Sequence, residues 1–152
     1  MNWILKPFTA LTPPELYELL RLRNEVFVVE QNCVFQDADN KDQSAWHLLG
    51  RDAAGVLQAY CRVLPPGISY REASIGRVVT ATAVRNTGAG RELMREAIAA
   101  CTRLFGPGTL KIGAQLYLEG FYGSFGFVRV SDVYLEDGIE HIEMQRSDGV
   151  DT

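Results

Sequence analysis

Arg85, Gly88 and Gly90 form an R-x-x-G-x-G loop between a β-branched run and the opening of an amphipathic helix. A strand that hands two glycines to a helix start exposes unpaired backbone N–H groups, and the helix dipole adds partial positive charge there. Glycine also lets a bulky anion approach the backbone. The chemistry implied is capture of a pyrophosphate, although strand-to-helix turns also use glycine for steric reasons alone. A second chemical signal is Arg23, which helical spacing places inside an apolar stripe of Leu16, Leu19, Leu20, Val26 and Phe27. A buried guanidinium is costly unless paired, and Glu30, Asp37, Asp39 and Asp42 are the candidate partners. A metal reading of the aspartates is poor, because Lys41 breaks the alternation of an EF-hand and no glycine lies at its turn.

The elements that must position these residues follow from pattern. Residues 2–8 read as a strand, and Thr12 with Pro13, Pro14 and Glu15 supplies a cap and start for a helix running to about Gln31. A polar, irregular stretch over 32–44 is followed by strands near 45–50 and 55–64, and Pro65, Pro66 and Gly67 break the chain. The strand over 74–82 leads into the glycine loop. The next helix has Met94, Ala97, Ile98, Cys101 and Leu104 inward and stops at Gly106, Pro107 and Gly108. A strand over 109–114, a short helix from Gln115 to about Ser124, and closing strands near 126–134 and 139–146 complete the chain, with a hairpin at Glu136, Asp137 and Gly138. Strand, helix and strand in series imply parallel pairing by a right-handed crossover. The chain ends read as antiparallel, so the sheet is mixed. The tail after Arg146 is expected to fray.

At 152 residues and 47% hydrophobic, the chain can bury about 70% of the surface it exposes unfolded, as one domain over 1–147. A net charge of −4 opposes nucleic-acid binding, which calls for a basic excess. Cys33, Cys61 and Cys101 lack metal spacing and read as reduced thiols. No stretch approaches 18 apolar residues and no leader pattern is visible, so a cytoplasmic protein without membrane attachment is expected.

The order of parts, with R-x-x-G-x-G at 85–90 and FYGSFGF at 121–127, resembles the Gcn5-related N-acetyltransferase (GNAT) superfamily over nearly the whole chain. RNEVFVVEQ at 23–31, IGRVV at 75–79 and YLEDGIEHIEM at 134–144 are similar to its ElaA subfamily. The resemblance implies an α/β (α+β) fold with a mixed sheet, flanking helices and two splayed central strands, 74–82 and 109–114, that hold acyl-CoA between them. It implies that Arg85, Asn86, Thr87, Gly88, Ala89, Gly90 and Arg91 cradle the CoA pyrophosphate, and that Val78, Val79 and Thr80 line the pantetheine arm. No metal is expected. Asn86 stands where the family usually has glycine, and Ala89 where it usually has a branched residue. Asparagine tolerates left-handed backbone angles, so altered or weaker CoA affinity is expected rather than none.

Acetyl transfer to an amine needs a neutral nucleophile, a stabilised oxyanion and a proton for the leaving thiolate. Gln115 and Tyr122 are seven residues apart, two turns along one face of the expected short helix. Tyr122 also matches the family's general-acid tyrosine; its bland reading is core packing beside Phe121 and Phe125. His47, Glu72, Glu119 and His141 are the candidate bases, none assigned. Arg23, Phe27 and His47 are expected on the acceptor side. Arg23 with Phe27 and the downstream aspartates also resembles acyl-homoserine-lactone synthases, against a structural ion pair that fixes helix and loop. The function expected is acetyl transfer from acetyl-CoA to a primary amine by direct attack, the alternatives being a silent acyl-CoA-binding module or a lactone-synthase-like enzyme. The acceptor is an unidentified small molecule or peptide amine; sheet edges give scope for a homodimer.

Overall fold

The computed structural model describes residues 1–147; the expected fraying tail lies outside them. Strand β1 (Asn2–Pro7) precedes helix α1 (Pro13–Arg23), which Thr12 and Glu15 start with a reciprocal capping box. The helix expected to reach Gln31 changes character at Asn24, where a π-helical segment runs to Glu30. Its wider turn is recorded by the Gln31 and Cys33 amides, which donate to the carbonyls of Val26 and Val28. The run Val26, Phe27, Val28, Val29 is poor in α-helix formers, since branched and aromatic side chains crowd the preceding turn.

Strands β2 (Trp46–Arg51), β3 (Leu57–Leu64) and β4 (Ser74–Thr80) extend β1 into an antiparallel sheet of order β1-β2-β3-β4. Helix α2 (Ala89–Phe105) follows β4 and buries Leu93, Met94, Ala97, Ala100 and Cys101 against the core. Strand β5 (Leu110–Gln115) then begins a second antiparallel sheet with β8 (Ile139–Arg146), β6 (Val128–Arg129) and β7 (Tyr134–Glu136). The short helix α3 (Glu119–Gly123) sits between β5 and β6.

Four expectations are corrected. The parallel pairing of β4 with β5 is reduced to one bridge, Ala73 to Leu110, where the Lys111 amide donates to the Ala73 carbonyl at 3.0 Å. Beyond it the strands separate, so the two sheets form a V rather than one continuous surface. The closing strand expected over 126–134 is broken, because Ser131 Oγ accepts the Glu143 amide at 2.8 Å and interrupts the ladder. Gln115 ends β5 instead of opening the helix, and α3 starts only at Glu119. Ala89, Gly90 and Arg91 belong to the first turn of α2 instead of the loop before it. The hairpin at Glu136 to Gly138 is present: Glu136 pairs Ile139, and Asp137 and Gly138 both have positive φ, 51° and 79°, as a two-residue primed turn requires.

Candidate active site

The splay between β4 and β5 opens a cleft of about 1280 Å³. Its β4 wall runs without a break from Ser74 to Thr80, whereas a regular strand points alternate residues to opposite faces. The ladder shifts register within that run: Tyr60 pairs Val79 while Arg62 pairs Gly76, so β4 carries one more residue than β3 over this stretch. Arg77 sits in that bulge with φ of +50°, an uncommon backbone state for a non-glycine residue. Its guanidinium is anchored by the Asp37 carboxylate at 2.9 Å, the Asp37 carbonyl at 3.0 Å and the Phe35 ring at 5.6 Å. Past the Ala73 bridge, no strand among the described residues lies beside the cleft edge of β4, so backbone groups there remain open to a ligand.

The glycine loop closes one end. Asn86 adopts the left-handed φ of +63° and Gly88 caps α2 at +87°, so asparagine takes the conformation that glycine usually fills. Asn86, Gly88, Gly90 and Arg91 line the cleft, and the α2 N-terminus adds its orphan amides. Thr87 donates its hydroxyl to the Val84 carbonyl and shapes the turn. Ala89 is buried, so the departure at that position faces the core. Arg85 is held by both oxygens of Glu30; the contact lowers the Glu30 carboxyl and raises the guanidinium. The Arg91 guanidinium stacks 4.8 Å over Phe125 and donates to Ser124 Oγ at 3.1 Å.

Tyr122, from α3, lines the cleft while packing edge-on to Phe121, with ring centroids 5.2 Å apart, and to Phe127 at 6.2 Å. Burial pushes its phenol pKa up, so it carries its proton at neutral pH. Gln115 also lines the cleft, from the end of β5, and its amide donates to Gln31 at 3.4 Å. The two share one cavity through a strand end and a helix, not through one helical face. Val78 and Thr80 are half-buried, Val79 is buried, and Phe27 reaches the cleft from the π segment.

Arg23 and His47 stand behind the wall with no exposed surface, so neither can touch a substrate in this arrangement. Arg23 donates to Asp37 at 2.9 Å, to Asp42 at 2.8 Å and to the Asp37 carbonyl at 3.1 Å. Arg62 joins Asp39 at 2.6 Å to Asp42 at 3.0 Å. Three arginines and three aspartates thus interlock the irregular segment after α1 with β3 and β4. Ion pairing overcomes burial and lowers the carboxyls of Asp39 and Asp42. His47 Nε2 lies 2.9 Å from the Asp42 carbonyl, which can only accept, so Nε2 carries the proton and Nδ1 accepts the Tyr60 hydroxyl at 2.7 Å. Burial lowers the His47 pKa, keeping it neutral. Of the other base candidates, Glu72 lines a separate surface hollow and Glu119 pairs with Arg129 at 2.6 Å, whereas His141 lines the main cleft. Sequence reasoning missed Arg62 and Arg77, although each is a charge inside an apolar strand run, the same signal that marked Arg23.

A family model for the acetyltransferase (GNAT) domain matches residues 27–147. The chain belongs to the GNAT acetyltransferase family. It is 43% identical to protein ElaA of Escherichia coli over 148 residues, 96% of both chains, and 44% identical to a UPF0039 protein of Synechocystis over 144 residues, 95% of this chain and 94% of that one. The fold also superposes on the crystal structure of an acyl-CoA N-acyltransferase from Pseudomonas aeruginosa with a TM-score of 0.91, at 44% identity and covering 97% of this chain and all of the other. The crystal structure of E. coli ElaA gives 0.89 at 40% identity, covering 96% and 99%. No described helix is long and apolar enough to cross a membrane, and no described group of histidine, cysteine and carboxylate side chains is arranged to hold a metal.

Proposed function

We propose that this GNAT-family protein transfers an acetyl group from acetyl-CoA to a primary amine by direct attack in a ternary complex. The observation that carries the reading is the splay: one bridge joins β4 to β5, and the open β4 edge runs straight to the α2 N-terminus. Pantetheine is an extended chain with amide groups, and the unpaired edge over Val78, Val79 and Thr80 offers it the hydrogen bonds of a missing strand. The pyrophosphate lies on the amides of Asn86 to Arg91, where glycine permits close approach. Because Glu30 occupies the Arg85 guanidinium, these amides and Arg91 carry most of that load.

Bound acetyl-CoA supplies an electrophilic thioester. Its carbonyl oxygen becomes an oxyanion as the amine attacks, and open amides of bulged β4 are the donors within reach of that edge. The C–N bond forms and the C–S bond breaks. Tyr122 gives its phenolic proton to the departing sulfur. Burial raises the phenol and keeps it protonated, so it is the proton donor that the departing sulfur meets in the cleft. The tetrahedral nitrogen returns its excess proton to the tyrosine side.

Acetyl-CoA or CoA at 100 times its dissociation constant adds about 2.7 kcal/mol, or roughly 5–11 °C in melting temperature for a domain of this size. No shift with either would overturn the cofactor assignment. In Tyr122→Phe, kcat falls while the acetyl-CoA shift persists; loss of that shift instead would make Tyr122 a packing residue only.

A further inference from the structure

On the β5 side of the cleft, two tyrosine hydroxyls converge on a residue that has no side chain. A methyl group on Gly113 would lie 3.1 Å from the Tyr70 hydroxyl and 3.2 Å from that of Tyr134. Strand register puts the neighbours on the same face: Gly113 pairs Glu143, Gln115 pairs His141, and His141 also pairs Tyr134. The His141 ring lies beside that of Tyr134, tilted by 30° with centroids 5.9 Å apart. The opposite faces of these strands carry Ile112, Ala114, Ile142 and Met144 into the core, so the polar side chains can face only the cleft side.

The proton on His141 can be placed. Nδ1 lies 2.8 Å from the Ile139 carbonyl, an acceptor only, so Nδ1 carries a proton, and in the neutral ring the lone pair is on Nε2. That lone pair faces Glu136 Oε2 across 3.4 Å, longer than an ordinary N–H···O hydrogen bond. An ammonium group seated there can donate to both the imidazole and the carboxylate, and turn its third N–H to the phenolic oxygens. Burial and the nearby Glu143 and Glu136 also keep the Tyr70 phenol protonated. The remaining charges around His141 are Glu143, which Lys111 joins at 3.3 Å, and Asp137 in the turn.

Resting on the acetyl-transfer reading, the geometry points to the Gly113 face as the acceptor subsite, taking a cationic primary amine between Tyr70, Tyr134 and Glu136, with His141 Nε2 as the base. The ammonium loses one proton to Nε2, and the freed lone pair attacks the thioester carbon. The proton then leaves His141 for solvent, so one proton is released for each acetyl group transferred. Glu136 positions the amine and steadies the imidazolium.

The test titrates 2-phenylethylammonium, 1,4-diaminobutane and, as an anionic control, phenylacetate into the CoA-saturated protein while following His141 ring nitrogen resonances. At least one ammonium probe is expected to bind and move the Nε2 signal, with phenylacetate silent. Gly113→Leu fills the space between the hydroxyls and should weaken that binding at least tenfold while the acetyl-CoA melting shift is retained; Tyr70→Phe, which keeps the ring, should weaken it less. With an accepted amine, His141→Asn should lower kcat while the acetyl-CoA melting shift is retained. Unchanged ammonium binding in Gly113→Leu, an unmoved Nε2 signal, equal binding of phenylacetate, or no binding of either ammonium probe at millimolar concentration would overturn the subsite. Loss of the acetyl-CoA shift in the unaltered protein would instead sink the acetyl-transfer reading.

Discussion

Replacing Arg23 by leucine tests the charge network that fixes the cleft wall. Arg23 has no exposed surface, and its three hydrogen bonds hold Asp37 and Asp42, whose side chains are 5% and 11% exposed. Leucine replaces only part of the volume and leaves the carboxylates buried with Arg62 and Arg77 to neutralise them. Breaking a buried pair from one side costs about 3–5 kcal/mol, and about 2–4 °C of melting temperature accompanies each kcal/mol at this chain length. The expected loss is therefore roughly 6–20 °C by calorimetry at pH 7. Arg51→Ala is the control, because its pair with Glu18 is partly solvated, with side chains 19% and 40% exposed, and is worth about 0–1 kcal/mol. The gap between Arg23→Leu and the parent should narrow in acid. The carboxyl of Asp42 is lowered by its pairing with Arg23 and Arg62 against the opposing effect of burial, so its contribution is full above about pH 4, the unfolded value, and is lost as pH falls through the folded value. An Arg23→Leu protein that melts within 2 °C of the parent, or no lower than Arg51→Ala, would refute the account of the network.

The depressed pKa of His47 predicts an earlier acid effect: the unfolded histidine takes up a proton near pH 6.5 while the folded one resists it, so stability should decline below about pH 6.5. His47→Gln should flatten that slope between pH 6.5 and 5 in urea melts; an unchanged slope would remove His47 as its source. Burial raises the Cys61 thiol well above its ordinary value, and Cys101 is buried with it, whereas Cys33 is half-buried and lines the cleft. Iodoacetamide at pH 8 followed by peptide mass mapping should therefore label Cys33 first, and saturating CoA should slow it. Labelling of Cys61 in the native protein would contradict the packing.

The order of elements was readable from local pattern, because capping, glycine placement and apolar periodicity act over a few residues. Thr12 and Glu15 announce the start of α1, Gly88 and Gly90 the turn into α2, and Asp137 with Gly138 the last hairpin. Arg23 on an apolar stripe suggested a buried ion pair, since a guanidinium there is costly unless paired, although an acceptor-side role was open until the structure buried it. What sequence could not provide was the relation between distant segments. The splay of β4 from β5 was expected from the family resemblance and is present, but its start at a single bridge and the bulge at Arg77 depend on how two sheets and an aspartate-rich segment pack together. The same is true of Gln115, whose seven-residue spacing from Tyr122 mimicked one helical face although it ends a strand. Local spacing is a property of one element; the cleft is made where segments far apart in the chain meet. The sequence by itself determined which residues could bind an anion or bury a charge. Tertiary structure decided that His47 is walled in behind an aspartate carbonyl and a tyrosine hydroxyl while His141 faces the cavity, because burial and hydrogen-bond partners are set by packing and not by residue type.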